Sequence, residues 1–241
     1  MTLADRRERE KEQRRSDIIN AAEKLFFSRG YDNVSMNDIA SDVELSKATL
    51  YLYFRDKESL FFAIVLRGAR ILNAIYTECS KLDITGIEKI KAMGQGFYEF
   101  TKNYPDYFRM LCYSGSERFC NADNDDAKEI LELTGKNIEL IRKAFEEGME
   151  DGTVRNDLDP LEMAIYLCTA RLSIMNLDPR WRMALQAGGV SYDKFVNDFR
   201  RFIAPSIVGR RRTDGALSAG NRTGKGEPLR PSEYQDEKDI A

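Results

Sequence analysis

Histidine is absent from the 241 residues of this chain. This absence removes the commonest general base and every serine–histidine or cysteine–histidine nucleophile pair. The chain contains four cysteines, and no two of them form a CxxC pair: Cys79, Cys112, Cys120 and Cys168. A zinc site is therefore not expected. No catalytic constellation, metal or cofactor is predicted, and the protein is not expected to be an enzyme.

Long apolar runs are also missing. No uninterrupted apolar segment approaches the roughly 18 residues that a membrane helix needs. The first fifteen residues, MTLADRREREKEQRR, are charged and lack the apolar stretch of a secretory signal. A cytoplasmic location is therefore expected, where cysteines remain reduced thiols.

Charge of one sign is not in excess. The net charge is −3, and residues 1–57 contain 11 basic and 11 acidic side chains. A claim of nucleic-acid binding must therefore depend on where the charges lie, because their sum does not support it.

Helical periodicity dominates the pattern, and strand signals are nearly absent, so the expected fold class is all-α. The first helix is predicted from about Glu10 to Arg29, with Gly30 as its stop. Ser35 is predicted to cap a short helix, and Ser46 is predicted to cap another after a tight turn. These two short helices, braced by longer ones, form the outline of a helix-turn-helix motif.

Further helices are predicted along the rest of the chain. The first is a long helix capped by Asp56, and the later ones span about residues 84–103, 107–113, 125–151, 160–175 and 192–203. Asp159 is predicted to cap the helix that begins at Pro160. The predicted division is a DNA-binding domain at 1–56, a helical effector-binding and dimerisation domain at 57–207, and a disordered tail at 208–241.

The stretch SKATLYLYFRDK, residues 46–57, has the chemistry of a helix that reads DNA. Lys47 can donate to guanine, Ala48 can touch a thymine methyl group, and Thr49 offers both a hydroxyl and a methyl group. Leu50 and Phe54, four residues apart, are predicted to point into the core.

Three residues of the same stretch suit the DNA backbone. Tyr51 and Tyr53 can reach phosphates with their hydroxyl groups, and Lys57 lies at the start of the next helix, where a cation suits a phosphate. An aromatic stripe is more often part of a core. Tyr51, however, lies about 100° around the helix from Leu50, so it cannot fully share the inward face.

The segment GYDNVSMNDIASDVELSKATLYLYFRDKESLFFAIV resembles the N-terminal domain of tetracycline-repressor (TetR) family transcription regulators. The shared pattern runs from Gly30-Tyr31 through Asp38-Ile39-Ala40 to Thr49-Leu50-Tyr51 and Lys57. The resemblance implies a homodimer that binds a palindromic operator in double-stranded DNA. It also implies these DNA-binding residues: Ser35, Ser46, Lys47, Ala48, Thr49, Tyr51, Tyr53 and Lys57.

One position departs from the family pattern. The family usually has a glycine in the turn where this chain has Glu44, and a positive φ there would cost on the order of 1 kcal/mol. The basic residues of the N-terminal arm and of the first turns of the predicted first helix either contact DNA or form a solvated helix end, and both interpretations stay open: Arg6, Arg7, Arg9, Lys11, Arg14 and Arg15.

The resemblance also implies a cavity for a small-molecule effector and a dimer interface in the C-terminal helices. Residues 164–175 and 192–203 each offer an apolar face that can pair with a twin. Aromatic side chains between residues 93 and 119 suit an apolar pocket, although a core is the commoner use. The pocket candidates are Phe97, Phe100, Tyr104, Phe108 and Arg171.

Two further points remain open in the sequence. Arg171 lies in an apolar helix and needs a partner, either an acid across a dimer, which is favoured, or an anionic ligand. Cys112 and Cys120 flank a polar loop and raise the alternative of control by cysteine oxidation. The predicted function is a ligand-responsive transcriptional repressor that is released from its operator by a small, largely apolar effector. The alternative is control of DNA binding by cysteine oxidation or by a protein partner.

Overall fold

The structure, a computed structural model, describes residues 3–119 and 123–209. These ranges contain ten α-helices and no strand; Val154 and Val208 form only an isolated antiparallel bridge. The all-α class is confirmed. The helices are α1 (Leu3–Arg29), α2 (Met36–Asp42), α3 (Lys47–Tyr51), α4 (Lys57–Ser80), α5 (Gly86–Asn103), α6 (Pro105–Ser114), α7 (Asp125–Glu150), α8 (Pro160–Met175), α9 (Pro179–Ala187) and α10 (Tyr192–Ile203), with 3-10 turns at Glu117–Phe119 and Ala204–Ser206.

The predicted stop at Gly30 and the predicted caps at Ser46 and Asp56 are confirmed by the local backbone geometry and hydrogen bonds. Gly30, at φ +79°, ends α1 in the left-handed conformation that glycine adopts without strain. Ser46 accepts a hydrogen bond from the backbone of Thr49 at the start of α3, and Asp56 accepts one from the backbone of Ser59 at the start of α4. These caps satisfy backbone N–H groups that have no partner inside their helices.

Two helices differ from the expectation. The helix α1 begins at Leu3 instead of Glu10, so the basic residues expected before it belong to the helix itself. The Arg6–Glu10 pair, four residues apart, supports this charged extension. The helix α9, capped by Asp178 with Pro179 at its first position, was not predicted. It has no buried residue; its apolar side chains Trp181, Ala184 and Leu185 line a groove with Phe195 instead of packing in a core.

The helix α4 joins two apolar cores. Its first half, with Phe61 and Ile64, packs in a core that includes Ile18, Ile39 and Leu50 of α1–α3. Its second half packs, through Tyr76, in a core formed with α5, α7 and α8. By length and composition the helix could cross a membrane, but 56% of its apolar stretch is buried inside the fold, as in the core helix of a globular domain.

The end of the described chain is held by backbone hydrogen bonds. The Gly209 N–H donates to the carbonyl oxygen of Thr153 at 2.9 Å, and Val208 bridges to Val154. The first two residues of the predicted tail are therefore paired with the segment after α7. The rest of that tail and Cys120 lie outside the described residues.

Candidate nucleic-acid interface

The helices α2 and α3 are joined by a tight turn over residues 43–46. The Leu45 N–H donates to the carbonyl oxygen of Ala40 at 2.9 Å, which closes the turn. Ile39 of α2 and Leu50 of α3 are both fully buried, and Phe54 is almost so. Leu50 and Phe54 thus anchor α3 to the core as predicted, and the opposite side of α3 is left facing solvent.

Glu44 is the only non-glycine with a positive φ, +52°, among the described residues. It occupies the turn position where the family usually has a glycine and where the sequence predicted a strained backbone. A left-handed conformation brings Cβ close to the next carbonyl oxygen and costs an L-residue roughly 1–2 kcal/mol. The turn keeps the geometry that glycine suits and therefore carries this strain.

We expect Glu44→Gly to raise the free energy of unfolding by about 0.5–1 kcal/mol. The relief of strain exceeds the added conformational entropy of glycine in the unfolded chain. Urea denaturation followed by circular dichroism measures the change. The matched control is Glu44→Ala, which removes the carboxylate but keeps Cβ and should show no such gain. A loss of stability in the glycine variant would contradict the assignment of strain to this residue.

The exposed side of α3 carries the predicted base-reading residues. Lys47 and Ala48 are exposed, and Tyr51 keeps 44% of its surface accessible. The Thr49 hydroxyl lies 2.8 Å from the hydroxyl of Ser46, which fixes both side chains at the start of the helix. The Lys47 ammonium lies 5.9 Å from the ring centre of Tyr51. A cation, a methyl group, a hydroxyl and a phenol are thus presented on one short helix.

Ser35 and Tyr53 flank that face differently. Ser35 caps α2 in a capping box, in which its backbone N–H and its hydroxyl both bond to the Asp38 carboxylate. These hydrogen bonds hold the pKa of Asp38 below its usual value. Tyr53 is partly buried and packs against the N-terminal core. Ser35 is therefore exposed at the surface, whereas the Tyr53 ring is partly used in packing.

Lys57 serves the fold as well as the surface. Its ammonium donates to the carbonyl oxygens of Tyr31 and Val34, both at 2.9 Å, and lies 4.2 Å from the Tyr31 ring centre. Burial lowers the pKa of Lys57. Two of its three N–H donors are thus engaged by the α1–α2 connection, and one is left for another acceptor. Lys57 therefore positions the segment that leads into α2.

A groove of about 510 Å³ lies between the α1–α2 connection and α3. It brings together four predicted residues: Ser35, Lys47, Tyr51 and Lys57. Asn37 also lines it and was not predicted, although a polar residue in the first turn of α2 is a usable signal. The exposure of Leu52, which follows α3 and keeps 82% of its surface accessible, was also not predicted. Its position two residues after the buried Leu50 indicates that its side chain points away from the core.

The basic residues of α1 divide into paired and unpaired groups. Arg6 pairs with Glu10, and Arg15 lies over the Phe54 ring at 5.0 Å, with Asp126 at 3.8 Å. Arg9 donates to a backbone carbonyl within the helix. Within the described chain, no ion pair involves Arg7, Lys11 or Arg14, which are exposed. These three cations of the first half of α1 are therefore available for phosphates.

A second cavity, of about 500 Å³, lies among α5, α8 and α10. Phe97 and Arg171 line it, as the sequence suggested for a ligand pocket. The other three pocket candidates do not line it. Phe100 is fully buried, Phe108 packs edge-on against Phe97 at 5.9 Å, and Tyr104 is 40% exposed at the start of α6. The aromatic stripe is thus divided between core, cavity and surface.

The cysteines lie in environments that disfavour the thiolate. Burial raises the pKa of the Cys112 thiol to about 11 and also raises the pKa values of Cys79 and Cys168. Cys120, the other half of the proposed redox pair, is not among the described residues. In the part of the chain that the structure describes, no cluster of three or more acidic or cysteine side chains could hold a metal ion.

The two capped helices, their tight turn and the exposed polar face define a helix-turn-helix protein. Residues 18–64 match the family model described as bacterial regulatory proteins, tetR family. The HTH-type transcriptional activator FasR of Mycolicibacterium smegmatis is 25% identical over 101 residues, 42% of this chain and 46% of that protein. An HTH-type transcriptional regulator of Staphylococcus aureus is 28% identical over 137 residues, 57% of this chain and 63% of that protein. The alignments thus span about half to three fifths of these relatives.

Solved structures share the fold over most of their length. A TetR/AcrR-family regulator from Thermobifida fusca has a TM-score of 0.63 at 24% identity, over 83% of this chain and all of that one. AibR, solved with isovaleryl coenzyme A and operator DNA, has a TM-score of 0.60 at 20% identity, over 80% of this chain and 98% of that one. At these identities the likeness shows the fold alone. The family model over residues 18–64 and the relatives support a TetR-family transcriptional regulator, and the solved structures show that the fold agrees.

Proposed function

We propose that this protein is a ligand-responsive transcriptional repressor that binds a palindromic operator as a homodimer in the cytoplasm and is released by a small effector. The carrying observation is the exposed face of α3, which presents Lys47, Ala48, Thr49 and Tyr51 while Leu50 holds the helix to the core. A buried anchor with a polar outer face is what a helix entering the major groove requires.

The proposed contacts divide by chemistry. Lys47, Ala48 and Thr49 read base edges, since an ammonium, a methyl group and a hydroxyl each match a feature of the major groove. Tyr51 and the residues capping the two short helices contact phosphates, which fix the position of the motif without reading sequence. Lys57 adds its remaining N–H to this group while it holds the α1–α2 connection in place.

The proposed dimer rests on apolar surface that the described chain leaves exposed. The helix α8 exposes Ile165 and Tyr166, and α10 exposes Phe202 at 80%. Exposed apolar patches of this kind mark interaction surfaces. In a twofold dimer, the two copies of α3 must lie about 34–36 Å apart to enter successive major grooves.

The proposed release depends on α4. Its first residue, Lys57, holds the α1–α2 connection, and near its other end Ile75 packs against Gly96 of α5. The same α5 lines the 500 Å³ cavity through Phe97. A ligand that binds two arrangements of α5 and α4 unequally would change the separation of the two α3 helices. We accordingly propose an effector- and dimer-forming domain at 57–207 and a DNA-binding domain at 1–56.

The test is selection of DNA sites from a random pool, followed by fluorescence anisotropy on the selected site. Lys47→Ala and Tyr51→Ala should each weaken binding by roughly tenfold or more, because each good base or phosphate contact contributes about 1–3 kcal/mol. The matched control is Lys136→Ala, an exposed lysine of α7 outside the motif. Unchanged affinity in both α3 variants would reject these residues, and failure to select any DNA would reject the function.

The sign of regulation is tested separately with a reporter gene behind the selected site. The FasR relative carries the name of an activator, so an increase in reporter output would replace repression by activation. Control by cysteine oxidation is the weaker alternative, because burial raises the pKa of Cys112 and leaves little thiolate to react. Control by a protein partner would be indicated if apolar ligands fail while DNA binding holds.

A further inference from the structure

The cavity among α5, α8 and α10 has an uneven charge. Most of its lining is apolar, contributed by residues such as Ile90, Phe97, Leu167 and Val196. Among the described residues, the three charged side chains that line it are all cations, Lys91, Arg171 and Arg200, and none is a carboxylate. A site of this composition offers a mostly apolar wall and positive charge.

Arg171 is the most unusual of these cations. Its Nη2 donates to the carbonyl oxygen of Ile90 at 3.2 Å, while its Nη1 is buried and has no hydrogen-bond partner among residues 3–119 and 123–209. Within the described residues, no ion pair involves Arg171. Its neighbours are the phenol of Tyr76, which also interacts with it as a hydrogen-bonding group, the thiol of Cys168 and a second cation, Arg200. Burying part of a guanidinium without an acid is costly, because that part of the charge has left water without a compensating anion.

The backbone leaves room for this guanidinium. A Cβ added at Gly94 of α5 would lie 2.6 Å from Nη2 and 3.0 Å from Cζ of Arg171. The guanidinium of Arg171 therefore lies directly over the backbone of α5. Any residue other than glycine at position 94 would place its Cβ in the space that the guanidinium occupies. The orphan nitrogen, the glycine seat and the absence of a carboxylate are three separate observations of one site.

We propose that this cavity binds a single-chain amphiphile with an anionic head, its carboxylate paired with Arg171 and its chain against the apolar wall. The proposal rests on the proposed function, since it assigns a chemical class to the effector. The planar guanidinium fork matches a carboxylate in a bidentate arrangement. The volume of about 500 Å³ is within the range of small-molecule sites.

The site also has a path to α4. Tyr76 of α4 is buried next to Arg171, and burial raises the pKa of its phenol, so this neighbour stays neutral. A carboxylate that draws the guanidinium toward itself would change the contact with Tyr76. The same helix begins at Lys57, on the carbonyls of the α1–α2 connection. Ligand binding and operator release would then be linked through one helix.

The experiment compares two eight-carbon probes that differ in the head group, octanoate and 1-octanol. Isothermal titration calorimetry on the full chain should show octanoate binding at least tenfold more tightly, since hydrogen bonds between charged groups exceed neutral ones. Arg171→Met should remove this preference while leaving octanol affinity within about twofold. The matched control is Arg180→Gln on α9, an exposed arginine outside the cavity, which should behave as the wild type.

Several outcomes would overturn the proposal. The first is equal affinity of the wild-type protein for the two probes, a result that does not depend on any variant folding. The second is an unchanged preference for octanoate in a folded Arg171→Met protein. Binding of isovaleryl coenzyme A without octanoate binding would also reject the single-chain class. DNA binding is measured on the same samples. Operator binding without an octanoate preference rejects only this inference, whereas octanoate preference without DNA binding rejects only the proposed function.

Discussion

Phe61→Ala should lower the free energy of unfolding by about 3–5 kcal/mol, the usual cost of removing a buried phenylalanine. Phe61 is fully buried in α4. Its ring stacks on Phe119 at 4.6 Å and 15°, meets Tyr31 edge-on at 4.9 Å and lies 5.8 Å from Tyr113. One side chain therefore contacts the α1–α2 connection, α6 and the following 3-10 turn. Its loss would leave a cavity between these segments, and a shift of one helix alone would not close it.

The measurement is urea denaturation followed by far-ultraviolet circular dichroism. The control is Leu131→Ala on α7, where the leucine is 73% exposed and the expected change is within about 0.5 kcal/mol. Because Tyr31 also lies under the Lys57 ammonium, Phe61→Ala should weaken operator binding as well. A loss of stability below about 1 kcal/mol would show that this aromatic cluster does not hold the helix-turn-helix motif to the body.

Gly86→Ala should lower the free energy of unfolding by about 3 kcal/mol or more, beyond the common range for overpacking. A Cβ at this position would lie 2.1 Å from the backbone nitrogen of Gly148 and 2.5 Å from the carbonyl oxygen of Ala144. Both neighbours belong to the backbone of α7, so neither can turn aside as a side chain can. The substitution must separate the start of α5 from α7.

The control lies in α7 itself. Gly135→Ala would place a Cβ with nothing within 4 Å, so it should raise the free energy of unfolding by about 0.5–1 kcal/mol. The two glycine-to-alanine changes are chemically identical and should have opposite signs. Equal effects of the two variants, measured by urea denaturation, would contradict the close approach of α5 and α7.

The helix-turn-helix motif could be predicted from the sequence because its signals are local. Each short-range cap joins residues three apart: the side chains of Ser35, Ser46 and Asp56 accept hydrogen bonds from backbone N–H groups three residues later. Leu50 and Phe54 are four residues apart, which is a helical spacing. Such patterns depend on neighbouring residues only. The family resemblance adds the turn geometry, which explains why the strain at Glu44 could be anticipated.

The rest depends on contacts between residues distant in sequence. Lys57 was expected at a phosphate, but its partners are the carbonyls of Tyr31 and Val34, 26 and 23 residues away. The fate of Phe100 and Phe108 depends on which helices pack against α5 and α6, and periodicity alone does not reveal this. The helix α9 repeats the aspartate–proline start of α8 and was not predicted; its apolar side chains belong to no buried core.

The hydrogen bonds of Lys57 affect how operator binding responds to ionic strength. They are accepted by neutral peptide carbonyls, not by a carboxylate, so added salt has no ion pair to screen at this position. Phosphate contacts, in contrast, weaken steeply as salt rises, because binding releases counterions from the duplex. The helix α3 should therefore keep its position in the fold while its affinity for DNA falls. The slope of log affinity against log salt concentration then reports the number of phosphate contacts, because the helix-turn-helix motif itself does not loosen.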